Sequence, residues 1–232
     1  MAKHFMEFAF NDSVRKVQEK YGTRVPYQKM ENKSEFRNKL TWQEKGYIKN
    51  RDSFYMASVG ENGWPYMQFR GGPKGFLRVI DENTLAFADF RGNGQYISTG
   101  NFNATKKTVL FLMDYTKQQR LKIWAEAEVL HADDHPKLLE KVEMPDYEAT
   151  IERIFIFKVH AFDWNCPQHS TPRYTKEEIQ KGMGMEGVGP DSHEDPHEKV
   201  ATRIEGSLLG SRPAPISVSV RLNHDDGEMI KL

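Results

Sequence analysis

Residues 53–90 alternate short apolar segments with tight-turn signals, and this spacing constrains the fold more than any other feature of the sequence. The segment SFYMASV (53–59) is followed by Gly60-Glu61-Asn62-Gly63, which is typical of a hairpin turn, and a partner strand is predicted over 64–70. Parallel neighbours need crossover connections of about a dozen residues or more, and none fits within this region. The sheet is therefore predicted to be antiparallel, which argues against a doubly wound dinucleotide-binding fold.

Helices are predicted on both sides of this region. Thr41-Trp42-Gln43-Glu44 has the spacing of a capping box and opens a helix to about Asn50. Other helices are expected over 12–20 (capped by Asp12 or Ser13), 29–39, 95–102, within 133–151, and from Thr175 to about 181. Strands are expected over 53–59, 64–70, 76–80, 84–89, 107–114, 120–130 and 153–163. The predicted architecture is a mainly β fold with helices, a small six- to seven-stranded antiparallel β-barrel.

Charge is balanced over the chain but not along it. The 232 residues contain 33 Lys and Arg and 33 Asp and Glu, which argues against non-specific binding to nucleic acid or acidic membranes. Residues 183–232 carry an excess of acidic residues, so residues 1–182 carry a matching basic excess. We expect a folded domain over 1–182 with N-terminal helices, and an acidic extension containing Gly and Pro over 183–232.

Cysteine usage and the N-terminus indicate the compartment. The single cysteine, Cys166, excludes an intrachain disulfide and favours a reducing environment. The N-terminal residues lack the apolar core of a signal peptide, and no apolar run approaches the ~20 residues of a membrane span. A cytoplasmic protein is expected. The histidines lie in patterns typical of solvated surface residues, and no metal site is predicted.

The stretch from Pro65 to Gly75 is the first candidate site. Gln68 and Arg70 point to the same face of a predicted strand, and Gly71-Gly72-Pro73-Lys74-Gly75 follows. A guanidinium beside a glycine-rich segment supplies the fixed donors and close backbone approach that bind a phosphate. The alternative is a strand that enters a Gly-Pro turn with solvated charges.

A second candidate follows within 25 residues. Arg91-Gly92-Asn93-Gly94 lies between a predicted strand and a predicted helix, and helix N-termini beside an arginine bind anions. Alone, this sequence is also a common turn. Adjacent strands could bring both candidates to one phosphate.

Two further segments carry polar and aromatic side chains. Arg120, Lys122 and Trp124 alternate on one strand face, which could stabilise an electron-rich ring or could be a solvated basic face. The segment 163–173 contains Cys166 and His169. Neighbours in sequence rarely have the geometry of a catalytic pair, so a binding loop is favoured over a thiolate nucleophile. Its binding side chains would be Trp164, Asn165, Gln168 and Arg173.

Several long segments together resemble the FMN-binding proteins related to pyridoxamine 5′-phosphate oxidase, over about residues 8–181. They are RDSFYMASV (51–59), GWPYMQFRGGPKGFLRV (63–79), LAFADFRGNGQYIS (85–98), LFLMDY (110–115) and DWNCPQH (163–169). The resemblance implies an FMN-binding split barrel, usually a homodimer with two FMN sites at the subunit interface. The oxidases themselves have a strand-end lysine and a Ser-Arg-Lys turn, where this chain has Arg70-Gly71-Gly72 and Arg91-Gly92-Asn93-Gly94. Vitamin B6 oxidation is therefore not expected.

The resemblance also implies roles for individual residues. Met67, Gln68, Phe69, Arg70 and Gly71 would line the flavin and its phosphate. Phe87, Ala88 and Asp89 would offer backbone contacts, and Arg91, Asn93 and Gln95 would complete the phosphate end. Arg120 would lie near the isoalloxazine, while Trp164, Asn165 and Arg173 would close the site from the other subunit.

The expected function is an oxidoreductase that transfers hydride or electrons through FMN N5 to or from a small molecule. The alternatives are a flavin carrier or sensor without turnover, and a haem or deazaflavin binder on the same barrel. No catalytic residue is assigned, although Tyr66, Asp89 and His169 are candidates for an acid or base.

Overall fold

A computed structural model of the chain describes residues 5–33, 38–165 and 168–182, and the element bounds are as follows. The helices are α1 (Phe5–Ala9), α2 (Asp12–Lys20), α3 (Arg24–Lys33), α4 (Trp42–Lys49), α5 (Ile97–Thr105), α6 (Pro136–Val142) and α7 (Lys176–Gly182). The strands are β1 (Ser53–Val59), β2 (Pro65–Gly71), β3 (Arg78–Val79), β4 (Thr84–Phe90), β5 (Lys107–Asp114), β6 (Gln119–His131) and β7 (Ile151–Asn165). The proposed acidic extension 183–232 and Cys166 lie outside the described residues.

The seven strands form one antiparallel sheet in the order β2-β1-β5-β6-β7-β4-β3. β2 lies at one end of this order and β4 close to the other, yet Arg70 of β2 donates to Asp89 of β4 at 2.8 Å. The sheet therefore curls until β2 and β4 face each other without pairing as strands. The prediction of a seven-stranded antiparallel split barrel is confirmed.

Phenylalanines fill the inside of the barrel. Phe54 stacks on Phe76 with 5.5 Å between ring centroids, and Phe87 stacks on Phe155 at 5.1 Å. Both Phe54 and Phe155 are almost completely buried. Strands β1 and β5 alternate buried and partly exposed residues, as expected for a sheet with one face on the core. The burial fixes the register, because a one-residue slip would turn these rings to the opposite face.

Most helix predictions are confirmed, with shifts at the ends. The Thr41 capping box forms, with Glu44 accepting from the Thr41 backbone N–H at 2.9 Å. The first predicted helix is α2, but its N-cap is Asn11, whose side chain accepts from Val14 N–H. The helix expected over 29–39 is instead α3, and α1 was not expected. Asn and Asp are nearly equivalent N-caps, so the choice among positions 11–13 depends on packing.

No helix within 5–33, 38–165 or 168–182 is long and apolar enough to cross a membrane. The same described ranges contain no group of three or more His, Cys, Asp or Glu residues that could hold a metal ion.

Candidate functional site

A polar cleft lies where the barrel is split, between β2 and β4. Its volume is about 150 Å³. β2 contributes one face, β4 and β7 contribute one charged residue each, and the loop from β4 into α5 forms the rim. The lining residues are Tyr66, Gln68, Arg70, Asp89, Phe90, Gly92, Asn93, Gly94, Gln95, Tyr96, Ile97, Ser98, Thr99 and Arg153.

Asp89 joins the two arginines of the cleft. Its side chain is 3% exposed, and its Oδ1 accepts from Arg70 Nη1 at 2.8 Å. Its Oδ2 accepts from Arg153 Nε at 2.9 Å and from Arg153 Nη2 at 2.7 Å. One buried carboxylate therefore fixes both guanidinium groups, and the three side chains retain a net positive charge of one.

The Arg70 guanidinium is also packed on the aromatic core. It lies 5.2 Å from the ring centroid of Phe155 and 5.8 Å from that of Phe87. Burial lowers the pKa of Arg70, and the carboxylate of Asp89 opposes this change. Because a guanidinium is not deprotonated in proteins, Arg70 remains charged. A cation held this way offers its remaining N–H groups in fixed directions.

A second carboxylate, Glu152, lies at the rim. Its Oε1 accepts from Arg91 Nε at 2.8 Å, and its Oε2 lies 2.9 Å from Arg153 Nη2. The Tyr96 hydroxyl donates to Oε2 at 3.5 Å, and the Arg153 guanidinium lies 4.5 Å from the Tyr96 ring centroid. The hydrogen bond from Arg91, assisted by the charges of both arginines, lowers the pKa of Glu152 against the opposing effect of desolvation.

The β4–α5 loop brings backbone donors to the cleft. Gly94 and Tyr96 have φ angles of 72° and 52°, in the left-handed region. Tyr96 is the N-cap of α5 and makes no side-chain capping bond, so its side chain satisfies none of the first N–H groups of the helix. Ile97, Ser98 and Thr99 of this first turn line the cleft. A bulky residue at positive φ costs free energy, and such strain is concentrated at functional sites.

The donor set of the cleft fits a phosphate. Within the described part of the chain, Arg70 Nε and Ser98 Oγ are buried and have no hydrogen-bond partner. Buried polar atoms are normally paired. Arg15 and Arg78 also have a buried, unpaired Nε, so what distinguishes Arg70 Nε and Ser98 Oγ is that both residues line one cleft, where the acceptor oxygens of a ligand would pair with them. Two arginines, a hydroxyl and a helix N-terminus are the groups that bind phosphate monoesters.

The predicted site residues of the first half of the chain divide into three groups. Those that line the cleft are Gln68, Arg70, Asp89, Asn93 and Gln95. Met67 and Phe69 are on the opposite face of β2, 64% and 56% exposed. Phe87 is buried inside the barrel, whereas Ala88 is buried on the other face of β4, in a second apolar cluster. Gly71 ends β2, and Arg91 pairs with Glu152 beside the cleft.

The predicted residues of the second half lie elsewhere in the same chain. Arg120 and Asn165 are neighbours on β6 and β7, and Arg120 Nη2 donates to the Gln168 carbonyl at 3.4 Å. Trp164 donates to Glu44, and the Arg173 guanidinium lies 4.9 Å from the Tyr115 ring centroid. Asn165 is twelve positions along β7 from Arg153, which corresponds to roughly 40 Å at about 3.3 Å per residue.

Four residues at the cleft or beside it were not among the predicted site residues: Arg153, Glu152, Tyr96 and Ser98. Arg153 is the third residue of β7, 64 positions after Asp89, and only the β4–β7 register brings the two residues opposite each other. Ser98 had a local signal, because a serine in the first turn of a helix after a glycine-rich loop is a frequent anion ligand. Of the three acid and base candidates, Tyr66 and Asp89 line the cleft, and the Tyr66 hydroxyl donates to Gln68 Oε1.

A sequence profile of the family "Pyridoxamine 5′-phosphate oxidase" matches residues 40–161, more than half of the chain. The chain belongs to the pyridoxamine 5′-phosphate oxidase family. The matched range begins before α4 and ends within β7, so it contains the whole sheet except the end of β7. The family assignment and the antiparallel barrel agree.

Three solved structures are similar to this chain at low sequence identity. A provisionally assigned pyridoxamine 5′-phosphate oxidase of Lactobacillus delbrueckii is 25% identical, with a TM-score of 0.42 over 54% of this chain and 94% of that one. An FMN-binding protein of Syntrophomonas wolfei is 16% identical, with a TM-score of 0.42 over 53% and 83%. A group A Streptococcus protein, HupZ, is 14% identical, with a TM-score of 0.42 over 54% and 99%. A comparison with curated protein sequences found no match.

Proposed function

We propose that this family member binds FMN, with the cofactor phosphate in the cleft between β2 and β4, and that it is an oxidoreductase. The observation that carries the proposal is the pair of arginines held by Asp89 beside the unpaired donors Arg70 Nε and Ser98 Oγ. Bound FMN would supply an N5 position that accepts or donates a hydride. The test is whether the purified protein holds FMN.

The residues of the chain have distinct roles in this proposal. Arg70 and Arg153 attract the phosphate, and the N-terminal N–H groups of α5 and the Ser98 hydroxyl donate to its oxygens. Asn93 Oδ1 accepts from the Gln95 backbone N–H at 3.1 Å, which stiffens the loop on which Gln95 is presented. Gln68, held by Tyr66, is placed to meet the polar chain that follows the phosphate.

The cleft of one chain is too small for the whole cofactor. Its volume of about 150 Å³ is below the roughly 300–1,000 Å³ of typical cofactor sites. It accommodates a phosphate and part of the attached chain, so the flavin ring has to lie beyond it. A second surface is needed to exclude water from the ring, and the proposal assigns that surface to a second copy of the chain.

The outer face of the sheet supports a homodimer. Met67 and Phe69 lie opposite Ala57 and Tyr55, and these in turn lie opposite Val109 and Phe111, so one apolar face extends across β2, β1 and β5. We call these six residues the outer apolar face. Exposed apolar faces of this kind are typical of protein interfaces. Obligate homodimer interfaces are similarly apolar.

The same face leads to Arg120 and to Asn165, which lies opposite it, whereas Trp164 lies opposite the buried Leu121 on the core side of the sheet. Phe111 lies opposite Lys122, and Met113 lies opposite Arg120, so Arg120 is on the side that carries the outer apolar face. A partner packed on this face therefore meets Arg120. We propose that Arg120, Trp164, Asn165 and Arg173 of one subunit close the cofactor site of the other, with Arg120 stabilising negative charge on the reduced ring.

Replacing Phe69 with glutamate is expected to convert the dimer to a monomer. A buried, unpaired carboxylate at the centre of an interface costs several kcal/mol, which is enough to dissociate a dimer of micromolar affinity. Light scattering after size-exclusion chromatography measures the mass. Val17→Glu, at a residue 54% exposed on α2, is the matched control and should remain dimeric. A monomeric unsubstituted protein, or a dimeric Phe69→Glu protein, would contradict the interface.

A carrier or sensor without turnover is the second candidate. Both Asp89 oxygens accept from arginines, so Asp89 is not available as an acid or base. Reduction of bound flavin by NADH or NADPH, followed by reoxidation by a defined acceptor, supports the enzyme. Flavin that no donor reduces at a useful rate supports the carrier. A Soret band or a deazaflavin mass would indicate the other cofactors.

Location and domain organisation are also part of the proposal. The single cysteine among 232 residues favours a reducing compartment, and we propose the cytoplasm. We also propose that residues 1–182 form the cofactor-binding domain and that residues 183–232 form an extension.

A further inference from the structure

Glu152 binds the donors that a phosphate at the cleft would use. Arg91 Nε, Arg153 Nη2 and the Tyr96 hydroxyl lie 2.8, 2.9 and 3.5 Å from its carboxylate oxygens. Arg153 and Tyr96 line the cleft, whereas Glu152 does not. The Glu152 carboxylate therefore binds Arg91 and Arg153 from a position beside the cleft and outside its lining.

Charge arithmetic shows why this placement matters. Arg70, Arg153 and Asp89 leave the cleft with a net charge of plus one, and a phosphate monoester carries close to two negative charges near neutral pH. Arg91 would supply the missing positive charge, but it is paired with Glu152. The Arg91 side chain is 68% exposed, so turning it toward the cleft costs little packing.

The geometry points to Glu152 as an internal counter-ion that competes with the cofactor phosphate for Arg91 and Arg153, and so sets the affinity for FMN. This inference rests on the proposed function. It assigns Asp89 and Glu152 opposite effects. Asp89 is 3% exposed and fixes its arginines in the core, whereas Glu152 is at the rim and holds a cation that the ligand needs. An electrostatic competitor lowers affinity for the charged ligand only.

Glu152→Gln is the direct test, because glutamine keeps the size and one acceptor oxygen but removes the charge. FMN and riboflavin differ by the phosphate alone, so binding of each is measured by quenching of flavin fluorescence. We expect Glu152→Gln to bind FMN about 2- to 5-fold more tightly than the unsubstituted protein, as for the loss of one surface charge pair. Riboflavin binding should not change. The gain should shrink as salt is added.

The chain offers a matched control. Glu31 also accepts from two arginines, Arg15 and Arg24, and its side chain is 18% exposed against 15% for Glu152. It joins α2 to α3 and is not among the cleft residues. Glu31→Gln should leave both flavin affinities unchanged. An equal effect of Glu31→Gln and Glu152→Gln would overturn the inference, because net charge alone would then explain the result.

A double-substitution cycle tests the transfer of Arg91. If Arg91 moves from Glu152 to the phosphate, Arg91→Met will weaken FMN binding more in the Glu152→Gln protein than in the unsubstituted one. Weaker or unchanged FMN binding by Glu152→Gln would overturn the inference while leaving FMN as the cofactor. An unsubstituted protein that binds neither FMN nor riboflavin would overturn the proposed function itself.

Discussion

Arg70→Met is expected to weaken FMN binding about 100-fold and to leave riboflavin binding nearly unchanged. Arg70 is the cleft arginine whose Nε has no hydrogen-bond partner in the described structure, and its guanidinium is fixed by Asp89 and by the rings of Phe87 and Phe155. A fixed guanidinium loses little entropy when it binds a phosphate. Hydrogen bonds to charged groups contribute about 1.5–3 kcal/mol, which is roughly 10- to 100-fold in affinity.

Isothermal calorimetry or fluorescence quenching with FMN and riboflavin in parallel measures this effect. Arg78→Met is the matched control, because Arg78 is also partly buried but donates to the Glu143 carbonyl, away from the cleft. Arg70→Lys should recover only part of the affinity, since lysine cannot donate to Asp89 and the phosphate in the same fork geometry. Equal losses for FMN and riboflavin would show that Arg70 acts on the fold instead of on the phosphate.

Asp89→Asn is expected to lower the free energy of unfolding by about 3 kcal/mol. Asp89 is almost completely buried and neutralises Arg70 and Arg153, which come from β2 and β7. Removing one partner from a buried ion pair costs about 3–5 kcal/mol because the remaining charge stays buried without compensation. The same substitution weakens the link between β2 and β4 at the split, so we also expect these two strands to separate more easily there.

Urea unfolding followed by circular dichroism and by tryptophan fluorescence measures the stability change. Asp12→Asn is the control, because the Asp12 side chain is 93% exposed and lies 3.9 Å from Arg15. It should stay within about 0.5 kcal/mol of the unsubstituted protein, as is usual for exposed pairs. An Asp89→Asn protein as stable as the control would show that Asp89 does not hold the barrel at its split.

Local patterns account for the parts of the fold that could be predicted. The strand SFYMASV and the strand over Lys107–Asp114 have the predicted bounds, because alternation and flanking turn residues define both ends. The Thr41 capping box was also predictable, because it depends only on residues three positions apart in the sequence. By contrast, α3 begins at Arg24 and not at Lys29, since its position depends on the ion pairs that join it to α2.

The candidate site shows the limit of local reasoning more clearly. Two segments of the chain have sequence patterns typical of phosphate binding, and the curl of the sheet brings both segments to one cleft. The predicted cleft residues in these segments are Gln68, Arg70, Asn93 and Gln95. Arg153 has no such pattern. Its role follows from the antiparallel pairing of Asp89 with Arg153 across β4 and β7. Long-range register of this kind is not readable from one strand alone.

The identity of the cofactor in the purified protein tests the central claim most directly. We predict a yellow protein with flavin absorption bands and a released compound of the mass of FMN, at about one per chain. If the flavin is lost in purification, added FMN should bind more tightly than riboflavin. A Soret band, a deazaflavin mass, or equal affinities for FMN and riboflavin would contradict the assignment of the cleft as an FMN phosphate site.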